Sequence, residues 1–208
     1  IEWIDLAKGF SIILVVYGHC GLASVPYIGE WFAAFRMPFF FFVSGLLYNP
    51  SKFIKTTDFF HKKWPTLIRP FLIFSAIVFI CFYFVDEQQF QDRLKTFVQL
   101  GWGGYALWFI PVLFVTQLIY LLVCNKTDSN RNRLILILLL ALVGFLTYKL
   151  DIPNYWNINF TLTAVLFFGL GSIMCNSFNN FLNSKSFFQL SVILTILVIV
   201  SSLYLFNN

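Results

Sequence analysis

Charge is what this 208-residue chain has least of: Lys and Arg number 14, Asp and Glu 9, and together they make up 11% of the residues. A water-soluble domain is about a quarter charged and roughly half apolar, whereas this chain is 59% hydrophobic, so a soluble globular fold is excluded. Cysteine is scarce and scattered. Cys20, Cys81, Cys124 and Cys175 show no CxxC or Cys/His spacing, which excludes a zinc framework or disulfide scaffold and leaves small apolar packing residues. The alternating ten-residue segments of a transmembrane barrel are missing too, because runs such as PFFFFVSGLL and LILILLLALVGFL are continuously apolar. No metal and no nucleic-acid partner is expected, since membrane topology by itself calls for much of the net charge of +5.

What is present is enough apolar sequence for six or seven helices of about 20 residues each. The fold expected is all-α, a polytopic transmembrane bundle with about seven spans at 6–23, 31–48, 65–85, 105–123, 134–149, 158–175 and 187–206. The segment after the second span carries Lys52, Lys55, Lys62, Lys63 and Arg69 against Asp58; the one after the fourth carries Lys126, Arg131 and Arg133 against Asp128. The positive-inside rule puts both in the cytoplasm, with the N-terminus, and puts the acidic connection of Asp86, Glu87 and Asp92 outside. There Phe90, Leu94, Phe97 and Val98 recur at helical spacing, as in an amphipathic helix lying on the outer surface. No repeat or second domain is visible, so 1–208 reads as one integral-membrane domain. Lys8 and His19 inside the first span argue against a cleaved leader, and a few N-terminal residues are expected to be missing.

Titratable side chains inside spans cost about 2.5–3.5 kcal/mol each at the bilayer centre, so each is a candidate for function. The first two spans hold nearly all of them. Lys8 and His19 are 11 residues apart, which at about 100° per residue sets them on one stripe of a helix roughly 16 Å apart. Asp5, one turn before Lys8, can pair with it or cap the helix. Taken alone, His19 could equally be a satisfied packing histidine, and Arg36 could snorkel to the outer interface. Pro38 is expected near the first turn of the second helix, or else at a kink in it. Tyr17, Ser44, Gln117 and Asn159 could be hydrogen-bond glue between helices.

In combination these residues resemble a known family. Trp3-Ile4-Asp5-x-x-Lys8-Gly9, the apolar run to Gly18-His19, and Phe-Arg-Met-Pro-Phe-Phe-Phe-Phe-Val-Ser-Gly from Phe35 to Gly45 resemble the opening of the membrane acyltransferase 3 family. Leu107-Trp108-Phe109-Ile110-Pro111 with Gln117, and the stretch from Trp156 through Phe168-Gly169, are similar to landmarks of its sugar O-acetylase branch, the fucose 4-O-acetylase-like members. The resemblance implies transfer of an acyl group, usually acetyl from acetyl-CoA, to a hydroxyl of a cell-surface glycan or lipid-linked sugar. The family's basic-x10-His motif falls on Lys8 and His19, with Lys8 where arginine is common in the wider family. Its Arg-x-x-Arg motif falls on Lys63 and Thr66, so only the first position is basic here. Family members have about ten spans, so further C-terminal spans are expected beyond these.

A mechanism follows from that resemblance and from general acid–base chemistry. His19, with an ordinary pKa near 6.5, would serve as general base or covalent acyl relay, assisted by Lys8 and Asp5. Lys62, Lys63 and Arg69 would hold the phosphates of the donor, although topology alone explains the same cations. Arg36, Ser44 and Trp108 would bind the acceptor, Trp108 by stacking on a sugar, although an interfacial tryptophan is the plainer reading. The lipid bilayer of a cell membrane, bacterial inner or plasma membrane, is the expected location. Two rivals stand beside the enzyme: a transporter or flippase of a sugar-linked lipid, and a noncatalytic membrane subunit.

Overall fold

In the computed structural model the described residues are 28–53, 55–85, 87–100 and 107–182, together with Gly9, Phe10, Ile12, Ile13 and Val16. All regular structure among them is helical. The helices are α1 (Ile28–Leu46), α2 (Thr56–Lys63), α3 (Arg69–Val85), α4 (Glu87–Leu100), α5 (Phe109–Lys126), α6 (Asn130–Lys149) and α7 (Ile158–Leu182), with short 3-10 turns at Pro50–Lys52 and Tyr155–Asn157. The chain divides into two units, Ile1–Ser172 and Ile173–Asn208; of the second, residues 173–182 are described, and they are helical.

Among the described residues four helices are long and apolar enough to cross a bilayer: Thr56–Val85, Phe109–Lys126, Asn130–Lys149 and Tyr155–Cys175. They match the expected third to sixth spans. The 19-residue α1 lies where the second span is expected, and its helix ends when the Tyr48 N–H bonds the Gly45 carbonyl. The first span is described only at Gly9, Phe10, Ile12, Ile13 and Val16, all helical, and the seventh lies outside the described residues. Lipid suits the outward faces, where Leu72, Ile73, Phe74, Ile77 and Ile80 of α3 and Leu138, Leu139, Leu142 and Phe145 of α6 are exposed.

The third span starts nine residues earlier than expected, at Thr56 rather than 65. Its first turn is secured by Asp58, whose side chain accepts the Lys55 N–H at 3.0 Å. Pro65 and Pro70 do not end the helix. Pro65 lies inside a π-helical turn, Trp64–Ile68, and Pro70 just beyond it; the Arg69 N–H reaches back to the Trp64 carbonyl, and α3 continues from there. α4 forms where hydrophobic periodicity placed a helix, and Phe90 and Phe97 of its apolar face pack on α3 while Leu94 stays exposed. Phe79 meets Phe90 at 6.3 Å and Phe97 at 5.6 Å between ring centroids, and the Arg93 guanidinium lies 4.1 Å from the Phe82 ring.

α5 is the central helix. Pro111, Val112, Leu113, Phe114, Thr116, Gln117, Tyr120 and Leu121 are all buried, covering every side of it. Against it, Tyr48, Tyr120 and Phe168 pack edge to face at 5.1–5.9 Å, joining the end of α1 to α5 and α7. The Tyr48 hydroxyl donates to the Gln117 carbonyl at 3.3 Å. Tyr48→Phe keeps the ring and loses this bond, so it is expected to lower stability by about 1 kcal/mol, seen as a small fall in thermal midpoint.

α1 and α7 cross with their backbones in contact. A Cβ on Gly45 would overlap the Phe168 carbonyl, and one on Gly171 would overlap the Phe42 carbonyl. Only glycine admits this approach.

Candidate functional site

Two groups of the expected site residues are described, and they sit at different levels of the bundle. At one end is Arg36, on α1 one residue before Met37-Pro38. Pro38 falls in the helix interior rather than its first turn, so the Ala34 carbonyl lacks its usual i+4 donor. Four successive phenylalanines then point about 100° apart and meet different neighbours. Phe39 meets Phe10 at 6.4 Å, Phe40 meets Phe109 at 5.4 Å, and Phe41 meets Phe160 at 6.1 Å. Trp108, half-buried at the start of α5, stands edge-on to the same Phe160 at 4.8 Å.

Arg36 and Trp108 therefore belong to one end of the α1–α5–α7 contact. Arg36 is half-buried, and its Nε is buried without a hydrogen-bond partner. A guanidinium always carries its charge, and leaving its N–H unmet away from water is costly, so this atom is ready for an acceptor. Backbone strain occurs at the same end: Trp156, one turn before Phe160, has φ 58°, a left-handed conformation unfavourable to a bulky residue. Ser44 does not join this group. It is half-buried beside Gly45, about 12 Å further along α1.

The second group is the basic segment after α1. Lys62 Nζ donates to the Lys52 carbonyl at 3.0 Å and lies 5.6 Å from the centre of the Phe53 ring. Lys63 is half-buried next to it, and Arg69 is exposed where the π turn ends. Aromatic contacts draw this segment inward: Phe53 stacks on Tyr48 at 5.8 Å, Phe59 meets Phe53 edge to face at 5.4 Å, and Phe59 meets Phe114 at a tilt at 5.2 Å. Sequence places the two basic segments at one membrane face. Along α5, however, the first of them lies beside Phe114 to Tyr120, roughly 9–18 Å of helix short of Lys126. At Lys126 the other segment is tied down locally, with Arg133 Nε donating to the Thr127 carbonyl at 2.9 Å.

His19, Lys8 and Asp5 lie outside the described residues. Thr116 and Tyr48 were not singled out from sequence as site residues, and Gln117 only as a family landmark and as hydrogen-bond glue between helices. Their signal is polarity in mid-span, a Thr-Gln pair within the run FIPVLFVTQLIYLLV.

Long apolar helices with lipid-suited faces, closed around a core that keeps a guanidinium and a basic segment, define a polytopic membrane protein of the all-α class. The family model described as an acyltransferase domain, that of the acyltransferase 3 family, matches residues 1–208, and the chain belongs to this family. In general terms, then, its activity is acyl transfer. No curated protein and no solved structure matches significantly.

Proposed function

We propose that the protein transfers an acyl group, acetyl, from acyl-CoA to a hydroxyl of a cell-surface glycan or lipid-linked sugar, in a cell membrane. The observation that carries this reading is the pair of cationic stations at two levels of one aromatic-lined contact: Lys62 with its neighbours beside the middle of α5, and Arg36 with an unmet Nε near Trp108. The first suits the phosphates of the donor, which is made in the cytoplasm. The second suits the acceptor, with Trp108 offering a ring to a sugar face and Arg36 a donor to a hydroxyl or phosphate oxygen.

In this reading His19 takes the proton of the acceptor hydroxyl as its oxygen attacks the thioester carbonyl. Lys8, on the same stripe but roughly 16 Å nearer the cytoplasm, supplies positive charge to the donor before the acyl group reaches His19. The C–S bond then breaks, the carbonyl re-forms as an ester, and the CoA thiolate leaves with the proton. In the relay form, a ring nitrogen of His19 attacks first, CoA leaves, and the acyl group passes from imidazole to the hydroxyl.

The test is release of CoA from acetyl-CoA by the purified full-length protein with a crude cell-envelope glycan acceptor. Wild type should release CoA only with acceptor, and a folded His19→Ala variant should release none above background. Equal release from both would remove His19 from the chemistry.

A further inference from the structure

Threonines in these helices ordinarily close on their own backbone. Thr66 donates to the Lys62 carbonyl, Thr96 to Asp92, Thr147 to Val143, Thr161 to Asn157 and Thr163 to Asn159, all at 2.8–3.1 Å. Thr116 departs from this habit. It is 0% exposed, and its hydroxyl has no hydrogen-bond partner. Its neighbour Gln117 is 5% exposed, and the amide oxygen, Oε1, has no partner either. Two unmet polar atoms on adjacent residues thus sit in the middle of the central helix, about 13 Å of helix from either end. Buried polar groups are normally satisfied, so a pair left open calls for an explanation.

The neighbourhood says what would fill it. The main chain at Gln117 is joined to the basic segment by a run of direct contacts: its backbone carbonyl to the Tyr48 hydroxyl, the Tyr48 ring to Phe53, and the Phe53 ring to Lys62 Nζ. Trp108 and Arg36 stand further away along the helices. An amide oxygen only accepts, so its partner must bring an N–H or O–H; a threonine hydroxyl can accept or donate. The surroundings are apolar and aromatic, Val112, Phe114 and Tyr120 among them, which suits a neutral ligand segment and not a charged one.

We infer that Thr116 and Gln117 are the station for the neutral, amide-bearing arm of acyl-CoA, whose anionic head is held by the Lys52–Lys63 segment. This rests on the acyl-CoA reading given above and adds where the arm runs. An arm N–H donates to Gln117 Oε1, and the Thr116 hydroxyl pairs with an arm amide. The thioester is thereby carried inward from the cations toward the Trp108 end.

The experiment measures binding and stability, not turnover. Full-length protein in detergent is titrated with CoA, and with pantetheine, which is the arm without phosphates, for wild type, Gln117→Met, Thr116→Val and Lys62→Met. Gln117→Met and Thr116→Val should each weaken both ligands about three- to tenfold, the range for one lost hydrogen bond. Their thermal midpoints without ligand should stay level or rise, because an unmet buried acceptor has been removed. Lys62→Met should weaken CoA and spare pantetheine.

CoA and pantetheine binding unchanged in both Thr116→Val and Gln117→Met would overturn the proposal. Weakened binding of the glycan acceptor, titrated in the same way, with CoA and pantetheine binding unchanged would do the same, by placing an acceptor hydroxyl there. So would a lowered midpoint with unchanged binding, which would make the pair structural. Failure of wild type to bind CoA at all would instead sink the acyl-CoA reading beneath it.

Discussion

Gly45→Ala and Gly171→Ala are each expected to destabilise the protein by about 3 kcal/mol, enough to remove most of it from the membrane at growth temperature. The added methyl group meets backbone, not a flexible side chain: the Phe168 carbonyl in one case and the Phe42 carbonyl in the other. Neither carbonyl can turn away without breaking its own helix, so α1 and α7 would have to part. Separation would loosen the Tyr48–Tyr120–Phe168 cluster and, with it, the wall from Phe40 to Phe109. Gly9→Ala is the matched control. It lies in a helix with nothing within 4 Å of the added Cβ, and should be neutral or stabilising by about 0.5–1 kcal/mol. Thermal midpoints of the three variants in one detergent test the contrast. A Gly171→Ala protein as stable as wild type would show that the helices do not approach so closely.

Arg36→Met should separate stability from activity. The wild-type side chain leaves Nε buried and unmet, so replacing it with an apolar chain of similar length should hold or raise the thermal midpoint. If Arg36 meets an anionic or hydroxyl oxygen of the acceptor, the same change should lower transfer about ten- to a hundredfold, the range for hydrogen bonds to a charged group. Arg36→Lys should recover only part of this, because the guanidinium fork is lost. Initial rates at saturating acetyl-CoA and varied acceptor give the answer. Full activity in Arg36→Met, with lowered stability, would make Arg36 a packing residue.

The helical class and the order of its spans were legible because length and composition suffice for both, as α5 and α6 show at 109–126 and 130–149. The start of the third span was not. Lys62 and Lys63 read as a connection and Pro65 as the first residue of the span, yet lysine is a good helix former, and the chain passes Pro65 through a π turn. Arg36 was legible as a candidate from its place just before the polyphenylalanine run, and Trp108 from the Leu107–Pro111 stretch that opens the fourth span. The level of Lys62 was hidden, because it is set by Phe53, Phe59 and Phe114, which meet only in three dimensions. The same holds for Gly45 and Gly171, whose spacing in sequence gives no hint of contact. Thr116 was illegible for a subtler reason: most threonines in helices look like it in sequence but satisfy themselves.

The inward position of the lysine segment bears on how far an acyl group must travel. A hydrocarbon slab is about 30 Å thick, and an exposed ammonium such as that of Lys62 does not stay in it without water. Solvent must therefore follow the segment to the level of Tyr48 and Gln117, where it packs. From there to Trp108 is about 13 Å of helix. In the proposed reading, a thioester delivered to that level has only this length of helix, a little under half the thickness of the slab, between it and the Trp108 end.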